Sequence, residues 1–513
     1  QSVRGEGWEI PSGSKSMASV QGMYGVPGRT CILPPLGGSH WHKALEGQGQ
    51  WWVQVVGSSH SSDETCESRW SEGEDISFVS FDETLGTLEA PLKVVNEEKE
   101  IWELSGTHKR LQTLIHHVNK DSLREEHQRQ SGNKASGVDG VTKAEYSRNL
   151  DANIEDLLSR MKTFSYRPKP ARRTYIPKLG GKMRPLGIPS YEDKLVQGVM
   201  AKVLNGVYEP RFMDCSYGFR PNRNCHDVIR EINSTIYKQP IGWVVEADIK
   251  GYFDNIDHSW LMKFLEHDIQ DKNFLRYIVR FLKAGIMEDG QYLDSESGSP
   301  QGGIISPILA NVYLHYVLDI WFEKVVKPRM RGKAYLFRYA DDFLALFEYE
   351  EDARKYYEVL PKRLGKFNLE VALEKTRLIP FGRNSGSKET FDFLGFTHIN
   401  GKDRKGHYRV VHRTSKKKLS AKQQAMKQWL RLNMHSPVCD ILEGLNRRLV
   451  GHYRYYGISG NSKSLGKYQY YCITTLFKVL RRRGQKKKIN WKTYNRILSA
   501  YGVAMPKIYV NIW

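Results

Sequence analysis

Residues 335–347 read Tyr335-Leu336-Phe337-Arg338-Tyr339-Ala340-Asp341-Asp342-Phe343-Leu344-Ala345-Leu346-Phe347. Two apolar runs rich in aromatic residues flank a pair of acids, which predicts two strands joined by a tight turn. Burying two carboxylates costs free energy unless a cation compensates their charge. The stretch therefore predicts a cation-binding turn within a sheet, with an ordinary surface turn as the alternative, since Asp is common in turns.

A third acid follows an earlier apolar strand, Trp243-Val244-Val245-Glu246-Ala247-Asp248. Hard divalent cations prefer oxygen ligands, so aspartates from separate strands suit them. In nucleotidyl transfer two such ions, about 3.5–4 Å apart, activate a hydroxyl group and stabilise the leaving group. Asp248 and Asp341 are the predicted bridging ligands of two Mg²⁺ ions (or Mn²⁺), with Asp342 beside them.

The charge of the chain is unevenly distributed. The net charge is +21 over 513 residues, yet residues 1–100 hold 7 Lys and Arg against 15 Asp and Glu. Residues 411–513 hold 22 Lys and Arg against 2 Asp and Glu, a net charge of +20. Such a basic region attracts a polyanion, because neutralising phosphates releases counterions. A solvated basic surface without a partner is the alternative.

The composition excludes several classes of protein. Hydrophobic residues make up 40% of the chain, and no apolar run reaches the roughly 18 residues that cross a bilayer. The six cysteines form no Cys-x-x-Cys pair, which argues against a zinc ribbon. Their small number fits a reducing cytoplasm, so we expect a cytoplasmic protein without a membrane partner.

The pattern along the chain predicts three parts. Residues 1–100 are rich in Gly and Ser and lack periodicity, which predicts a poorly ordered acidic leader. Residues 101–400 alternate helices with short apolar strands, typical of an α+β fold. Helices are predicted over 107–127 and from Thr142 onward, and residues 401–513 are predicted to be basic and helical.

Several segments resemble, in order, the blocks of group II intron-encoded reverse transcriptase/maturases. Tyr339-Ala340-Asp341-Asp342 resembles the Tyr-x-Asp-Asp box of reverse transcriptases. The other blocks are Gly137-Val138-Asp139-Gly140, Ile176 through Pro189, Ser216-Tyr217-Gly218-Phe219-Arg220-Pro221, Asp248 through His258, Gly298-Ser299-Pro300-Gln301-Gly302-Gly303, Leu373-Glu374-Lys375-Thr376 and Phe393-Leu394-Gly395. The resemblance covers about residues 130–400 and implies a right-hand polymerase, with fingers and palm followed by an all-α thumb.

The resemblance also implies the nucleotide-binding residues. Lys178 and Arg184 would hold the triphosphate, with Lys182 as the substitute for Lys178. Phe253 would pack against the sugar and exclude a 2′ hydroxyl, and Gln301 would touch the incoming nucleotide. Lys375 would stabilise the pyrophosphate or act as a general acid. The alternative for Lys178 and for Lys375 is a solvent-exposed lysine without a nucleotide contact. The alternative for Phe253 is a core residue.

The primer and RNA contacts follow from the same resemblance. Phe393, Leu394 and Gly395 resemble the primer grip, with a buried apolar strand as the alternative. The segment from Leu445 to Gly457 looks like the thumb or maturase domain, in which some tyrosines are expected to be core residues. The predicted RNA-binding residues are Arg447, Arg448, Tyr453, Arg454, Arg481, Arg482 and Arg483, and the Lys486-Lys487-Lys488 run would extend their surface.

The resemblance implies an RNA-directed DNA polymerase that uses dNTPs, an RNA template and a DNA primer. It would bind its group II intron RNA, assist splicing and insert the intron into a DNA target. No endonuclease motif follows the predicted thumb, so we expect a member that lacks that domain. The alternatives are a splicing maturase with secondary or lost polymerase activity, and a retron, CRISPR-associated or defence-type reverse transcriptase.

Overall fold

The computed structural model describes residues 101–103, 105–106, 110–177, 183–295, 297–299, 302–483 and 489–513. Of residues 1–100 it describes only the backbone of β1 (Trp52–Gln54) and β2 (Phe78–Ser80), which pair in antiparallel fashion. The predicted acidic leader otherwise lies outside the described residues, and so do Lys178, Lys182, Gln301 and residues 486–488.

Four antiparallel strands form the central sheet. They run in the order β10-β5-β9-β8, with β5 at Trp243–Ala247, β8 at Ala334–Tyr339, β9 at Asp342–Phe347 and β10 at Arg377–Pro380. The predicted pair of strands around Asp341 is therefore confirmed as β8 and β9, which are hydrogen-bonded neighbours.

A second, N-terminal sheet has the order β4-β3-β6-β7. Its strands are β3 (Ala171–Pro177), β4 (Met183–Ile188), β6 (Ile286–Glu288) and β7 (Gln291–Leu293). A third, C-terminal sheet joins β11 (Thr390–Phe393), β12 (Phe396–Lys402) and β13 (Tyr408–Thr414). Strand β12 crosses residue 400, where the sequence pattern placed a domain boundary.

Nine α-helices surround these sheets within the described part of residues 110–400. They are α1 (Lys120–Arg129), α2 (Lys143–Ser147), α3 (Leu150–Lys162), α4 (Tyr191–Tyr208), α5 (Cys225–Lys238), α6 (His258–Asp268), α7 (Lys272–Leu282), α8 (Ser306–Leu314) and α9 (Glu350–Gly365). Two π-helical turns (His315–Asp319 and Phe322–Val326) continue α8. Helix α9 runs through Pro361 without interruption.

Local capping explains where the first helices begin. Thr142 caps α2 through a capping box with Glu145, as the sequence predicts. The helix predicted over 107–127 begins only at Lys120, because the Asn119 side chain accepts a hydrogen bond from Ser122 N and ends the preceding irregular segment. Leu111, inside the predicted helix, pairs instead with Ile269 in an isolated β-bridge.

The last part of the chain is helical, as predicted. Beyond β13 the described residues form α10 (Lys416–Leu432), α11 (Val438–Tyr456), α12 (Ser462–Arg483) and α13 (Trp491–Tyr501). We call residues 416–513 the helical region. No helix among the described residues is long and apolar enough to cross a membrane.

Two hydrophobic cores lie on opposite faces of the central sheet. Val245, Phe343 and Ala345 belong to the core shared with the preceding helices. Val244 and Leu344 belong to the other core, which α5, the C-terminal sheet and the helical region complete. Successive residues of a strand point to opposite faces of the sheet. Because both faces of this sheet are buried, its strands are almost continuously apolar.

Candidate active site

Three aspartates lie at one end of the central sheet. Tyr339 pairs with Asp342, so Ala340 and Asp341 form a two-residue turn, and Ala340 has a φ of 56°. Ala247 pairs with Phe343, and the next position along the two strands sets Asp248 beside Asp342. The sheet register therefore gathers the three predicted acids from two distant segments, and we call residues 339–342 the acid turn.

The acids carry unbalanced negative charge. Burial raises the pKa of Asp341, and the neighbouring Asp248 carboxylate raises it further. Burial, then the charges of Asp341 and Asp248, raise the pKa of Asp342 to about 7. The Asp342 side chain is nevertheless exposed to solvent. A bound cation would favour the ionised form of both carboxylates.

Lys375 forms an ion pair with one of these acids. Its ammonium group donates a hydrogen bond to Asp248 Oδ2, which raises the pKa of Lys375, and 62% of its side chain is exposed. Among the described residues, no group of three or more His, Cys, Asp or Glu side chains is close enough to bind a metal ion. The binding of two magnesium ions by these aspartates therefore stays a prediction.

The buried side chain of Arg338 supports the acid turn. Arg338 and Asp319 are both fully buried and form a two-pronged ion pair, with Nε–Oδ1 and Nη2–Oδ2 distances of 2.7 and 2.6 Å. Nη1 of Arg338 also donates to Asn311 Oδ1 at 2.9 Å and to the Ala340 carbonyl at 3.1 Å. The guanidinium thus ties the backbone of the turn to α8 and its π-helical extension.

Gly218 allows a neighbouring segment to approach the turn. Tyr217 N donates to the Arg338 carbonyl at 2.9 Å, which brings residues 216–218 alongside β8. A Cβ atom at Gly218 would overlap the Ala340 amide nitrogen. The absence of a side chain at this position therefore permits the turn to sit where it does.

The N-terminal sheet brings Arg184 toward the acids. Arg184 lies on β4 opposite Ile176, is exposed, and its charge acts on Asp341. Lys178 and Gln301, predicted to act with it, lie outside the described residues. Of the two predicted triphosphate ligands, Lys178 and Arg184, the structure describes only Arg184. Its charge acts on Asp341.

Two glycines, on either side of residues 300–301, make close backbone contacts. Gly298 (φ 84°) packs against the Phe253 and Asp254 carbonyls, and Ser299 N donates to the Phe253 carbonyl at 2.8 Å. A Cβ atom at Gly302 (φ 112°) would come within 2.5 Å of the Gly187 carbonyl on β4. Gly298 thus lies against the Phe253 turn, and Gly302 lies against the strand that carries Arg184. Phe253 itself is 9% exposed and packs edge-on against Tyr252.

The predicted primer grip is a second tight turn. Phe393 pairs with Phe396, and Leu394 and Gly395 between them have φ values of 50° and 78°. The side chains of Phe393 and Leu394 are both 4% exposed and belong to the core. Any contact of these two residues with a primer would therefore involve backbone atoms, and the contact stays a prediction.

The predicted RNA-binding residues divide into exposed and packed groups. Arg447, Arg454, Arg481 and Arg482 are exposed. Arg448 stacks on Trp429 at 3.9 Å, and Arg483 donates to the Met434 and Ser436 carbonyls, so both have structural partners. Tyr453 is 1% exposed and donates to the Ala504 carbonyl at 3.2 Å. The prediction that Tyr453 stacks on RNA is wrong, because its ring is part of the core.

Lys418 is a residue that the sequence argument missed. It lies in the first turn of α10, and its charge acts on Asp342. The run Lys416-Lys417-Lys418 was the available signal, but only the tertiary fold brings this helix start beside the acids.

Comparisons with known proteins agree with this arrangement. The family described as "Reverse transcriptase (RNA-dependent DNA polymerase)" matches residues 176–398. The group II intron-encoded protein LtrA of Lactococcus lactis subsp. cremoris is 44% identical over 187 residues, which are 36% of this chain and 30% of that protein. The matched segment thus spans less than a third of that relative.

Two further relatives extend the comparison. Protein YkfC of Escherichia coli K12 is 35% identical over 317 residues, which cover 55% of this chain and 80% of YkfC. Nuclear intron maturase 2 of Arabidopsis thaliana is 28% identical over 181 residues, covering 28% of this chain and 24% of that protein. The site, the family match and these relatives lead to one conclusion: the chain belongs to the family of group II intron-encoded reverse transcriptase/maturases.

Proposed function

We propose that this protein is an RNA-directed DNA polymerase that binds its group II intron RNA, assists splicing and supports intron mobility by target-primed reverse transcription. The observation that carries the proposal is the set of three aspartates at one end of the central sheet, with two of them on a turn held by a buried ion pair. In this proposal the central sheet is the palm, the N-terminal sheet belongs to the fingers and the helical region is the thumb.

The donor set has the chemistry that divalent cations prefer. Asp248, Asp341 and Asp342 supply only carboxylate oxygens, which Mg²⁺ prefers, and the raised pKa values of Asp341 and Asp342 indicate charge that a cation would offset. When bound there, two Mg²⁺ ions would activate the primer 3′ hydroxyl and stabilise the leaving pyrophosphate. Lys375 would then exchange its hydrogen bond with Asp248 for the phosphate oxygens of the nucleotide.

The chain's own residues would bind and select the nucleotide. Arg184 offers a planar fork of donors for phosphate oxygens near Asp341. Phe253, fixed by its carbonyl contact with Ser299, would limit the space at the 2′ position of the sugar.

Primer extension on an RNA template tests the polymerase assignment. We expect Asp341→Asn to lower the extension rate by about a thousandfold, since it removes a charge that acts on the transferring group. Asp392→Asn is the matched control, because Asp392 is an exposed acid on β11 that hydrogen-bonds Thr397 at 2.5 Å. An Asp341→Asn protein as active as the parent would refute the assignment.

Splicing assays test the RNA-binding role separately. The exposed arginines of the helical region lie on α11 and α12, whereas the acids lie on the central sheet. We expect Asp341→Asn to splice normally and Arg447→Ala/Arg454→Ala to splice poorly. Loss of splicing in Asp341→Asn alone would contradict a separable maturase role.

A further inference from the structure

The outer edge of strand β11 carries backbone groups that β12 does not pair. Strand β11 is an edge strand, and Phe393 at its end pairs with Phe396 across the two-residue Leu394–Gly395 turn. Hydrogen-bonded and non-hydrogen-bonded pairs alternate along an antiparallel ladder, so Thr390 and Asp392 belong to non-hydrogen-bonded pairs. The Thr390 carbonyl and the Asp392 amide therefore point away from β12 and need other partners.

Two side chains of the central sheet supply those partners. Arg377 on β10 lies directly opposite Glu246 on β5, and its Nη2 donates to Glu246 Oε2 at 2.6 Å. The same nitrogen donates to the Thr390 carbonyl at 3.4 Å. Burial raises the pKa of Glu246, whereas hydrogen bonds from Arg377 and from the Asp392 amide lower it. The ion pair thus offers β11 a donor and an acceptor, as a neighbouring strand would.

This contact joins two segments that lead to the active site. Glu246 comes two residues before Asp248, at the end of β5. Asp392 comes two residues before the Leu394–Gly395 turn, at the end of β11. The helical region holds the turn itself through Ser415 N, which donates to the Gly395 carbonyl at 3.0 Å. The ion pair therefore holds the strand that precedes the turn against the strand that leads to Asp248.

We infer that Glu246 and Arg377 are positioning residues, which set the Leu394–Gly395 turn relative to Asp248 by taking the place of a neighbouring strand along β11. The inference rests on the proposed polymerase function, because this separation affects the reaction only if Asp248 acts on a primer end near the turn. Neither side chain needs to touch a substrate, since a small displacement of the reacting groups is enough to slow a reaction.

Hydrogen–deuterium exchange tests the contact without requiring catalysis. We expect Glu246→Ala to speed exchange of the Asp392 amide about three- to tenfold, because the amide loses its acceptor. Amides of β12 that pair with β13 should exchange as in the parent protein. Glu370→Gln is the matched control, because it breaks an exposed ion pair with Lys250 (3.1 Å) that does not involve β11.

An exchanged ion pair separates the contact with β11 from the attraction between the two charges. Glu246→Arg/Arg377→Glu again sets opposite charges across β5 and β10, so thermal melting should return toward the parent value. The exchanged side chains offer no acceptor at position 246 and no donor at position 377. Exchange of the Asp392 amide should therefore stay as fast as in Glu246→Ala.

Steady-state primer extension measures the effect on positioning. For Glu246→Ala we expect kcat to fall about three- to tenfold, while the KM values for primer–template and dNTP stay within about twofold of the parent values. The exchanged pair should stay equally slow. Glu246→Gln keeps an oxygen that can accept from the Asp392 amide, so it should recover part of the rate.

Two results would overturn the inference. One is parent-like exchange of the Asp392 amide in Glu246→Ala; the other is full recovery of both amide protection and kcat by the exchanged pair. Failure of the proposed function is distinguishable, because the folded parent protein would then extend no primer, whatever the exchange rates of its variants.

Discussion

The two tight turns of this protein have the same length but different supports. The acid turn is held by Arg338, whose ion-pair partner Asp319 and hydrogen-bond acceptor Asn311 belong to the π-helical extension and to α8. The Leu394–Gly395 turn is held from the helical region: Tyr455 Oη donates to the Leu394 carbonyl at 2.9 Å, and Ser415 N to Gly395. A shift of the helical region would thus carry the second turn with it and leave the acids in place.

We expect the largest effect from a substitution that removes the support of the acid turn. Arg338→Met leaves Asp319 buried without a partner, which should lower the free energy of unfolding by about 3–5 kcal/mol. Chemical denaturation measures the loss, and primer extension should be abolished.

A double variant separates stability from positioning. In Arg338→Met/Asp319→Leu the buried charges are gone, so much of the stability should return. The Ala340 carbonyl and Ser216 hydroxyl, which accept from Arg338 at 3.1 and 2.7 Å, stay without their donor. Extension should therefore stay low; recovered extension would show that Arg338 acts on stability alone.

Gly218→Ala should have an intermediate effect. The added methyl group overlaps the Ala340 amide, so either the turn or residues 216–218 must move, at a cost of about 1–3 kcal/mol. We expect the extension rate to fall more than primer affinity does. Gly466→Ala is the control: no atom lies within 4 Å of the added Cβ in α12, and the helix should gain about 0.5–1 kcal/mol. Unchanged extension in Gly218→Ala would argue against a fixed acid turn.

The smallest expected effect concerns the second turn. Tyr455→Phe removes the hydrogen bond to the Leu394 carbonyl and should cost about 1 kcal/mol. Because this turn is tied to the helical region, the variant should weaken primer–template binding while the KM for dNTP stays near the parent value. An increase in the dNTP KM without a change in primer affinity would reverse the proposed division between the turns.

Local chemistry in the sequence predicted much of the fold. We could predict the strands around Asp341, the cap at Thr142 and the helical C-terminal part. The spacing of apolar residues and the capping residues that indicate them act over only a few positions. The helix start at Lys120 was not predicted, since Leu111 exchanges helical hydrogen bonds for a bridge to Ile269. The domain boundary predicted at residue 400 falls inside β12, which pairs with β13.

The site was predicted unevenly. The register of the central sheet sets Asp248 beside Asp342, and the charge of Arg184 acts on Asp341, while the roles of these residues stay predictions. Tyr453 was assigned to RNA because tyrosine and arginine alternate in α11, a pattern that core packing produces equally well. Lys375 was assigned to pyrophosphate, and its hydrogen bond to Asp248 could not be read from spacing.

By itself the sequence determined the chemistry available: three carboxylates bounded by apolar strands, glycines at sharp turns and a strongly basic C-terminal part. These properties are local, since side-chain type and backbone preference depend on neighbouring residues. Only the tertiary structure decided that Arg338 supports the acid turn, that Gly218 lets a distant segment touch it, and that the charge of Lys418 acts on Asp342. Those relations depend on strand register and packing between segments far apart in the chain, which no local pattern encodes.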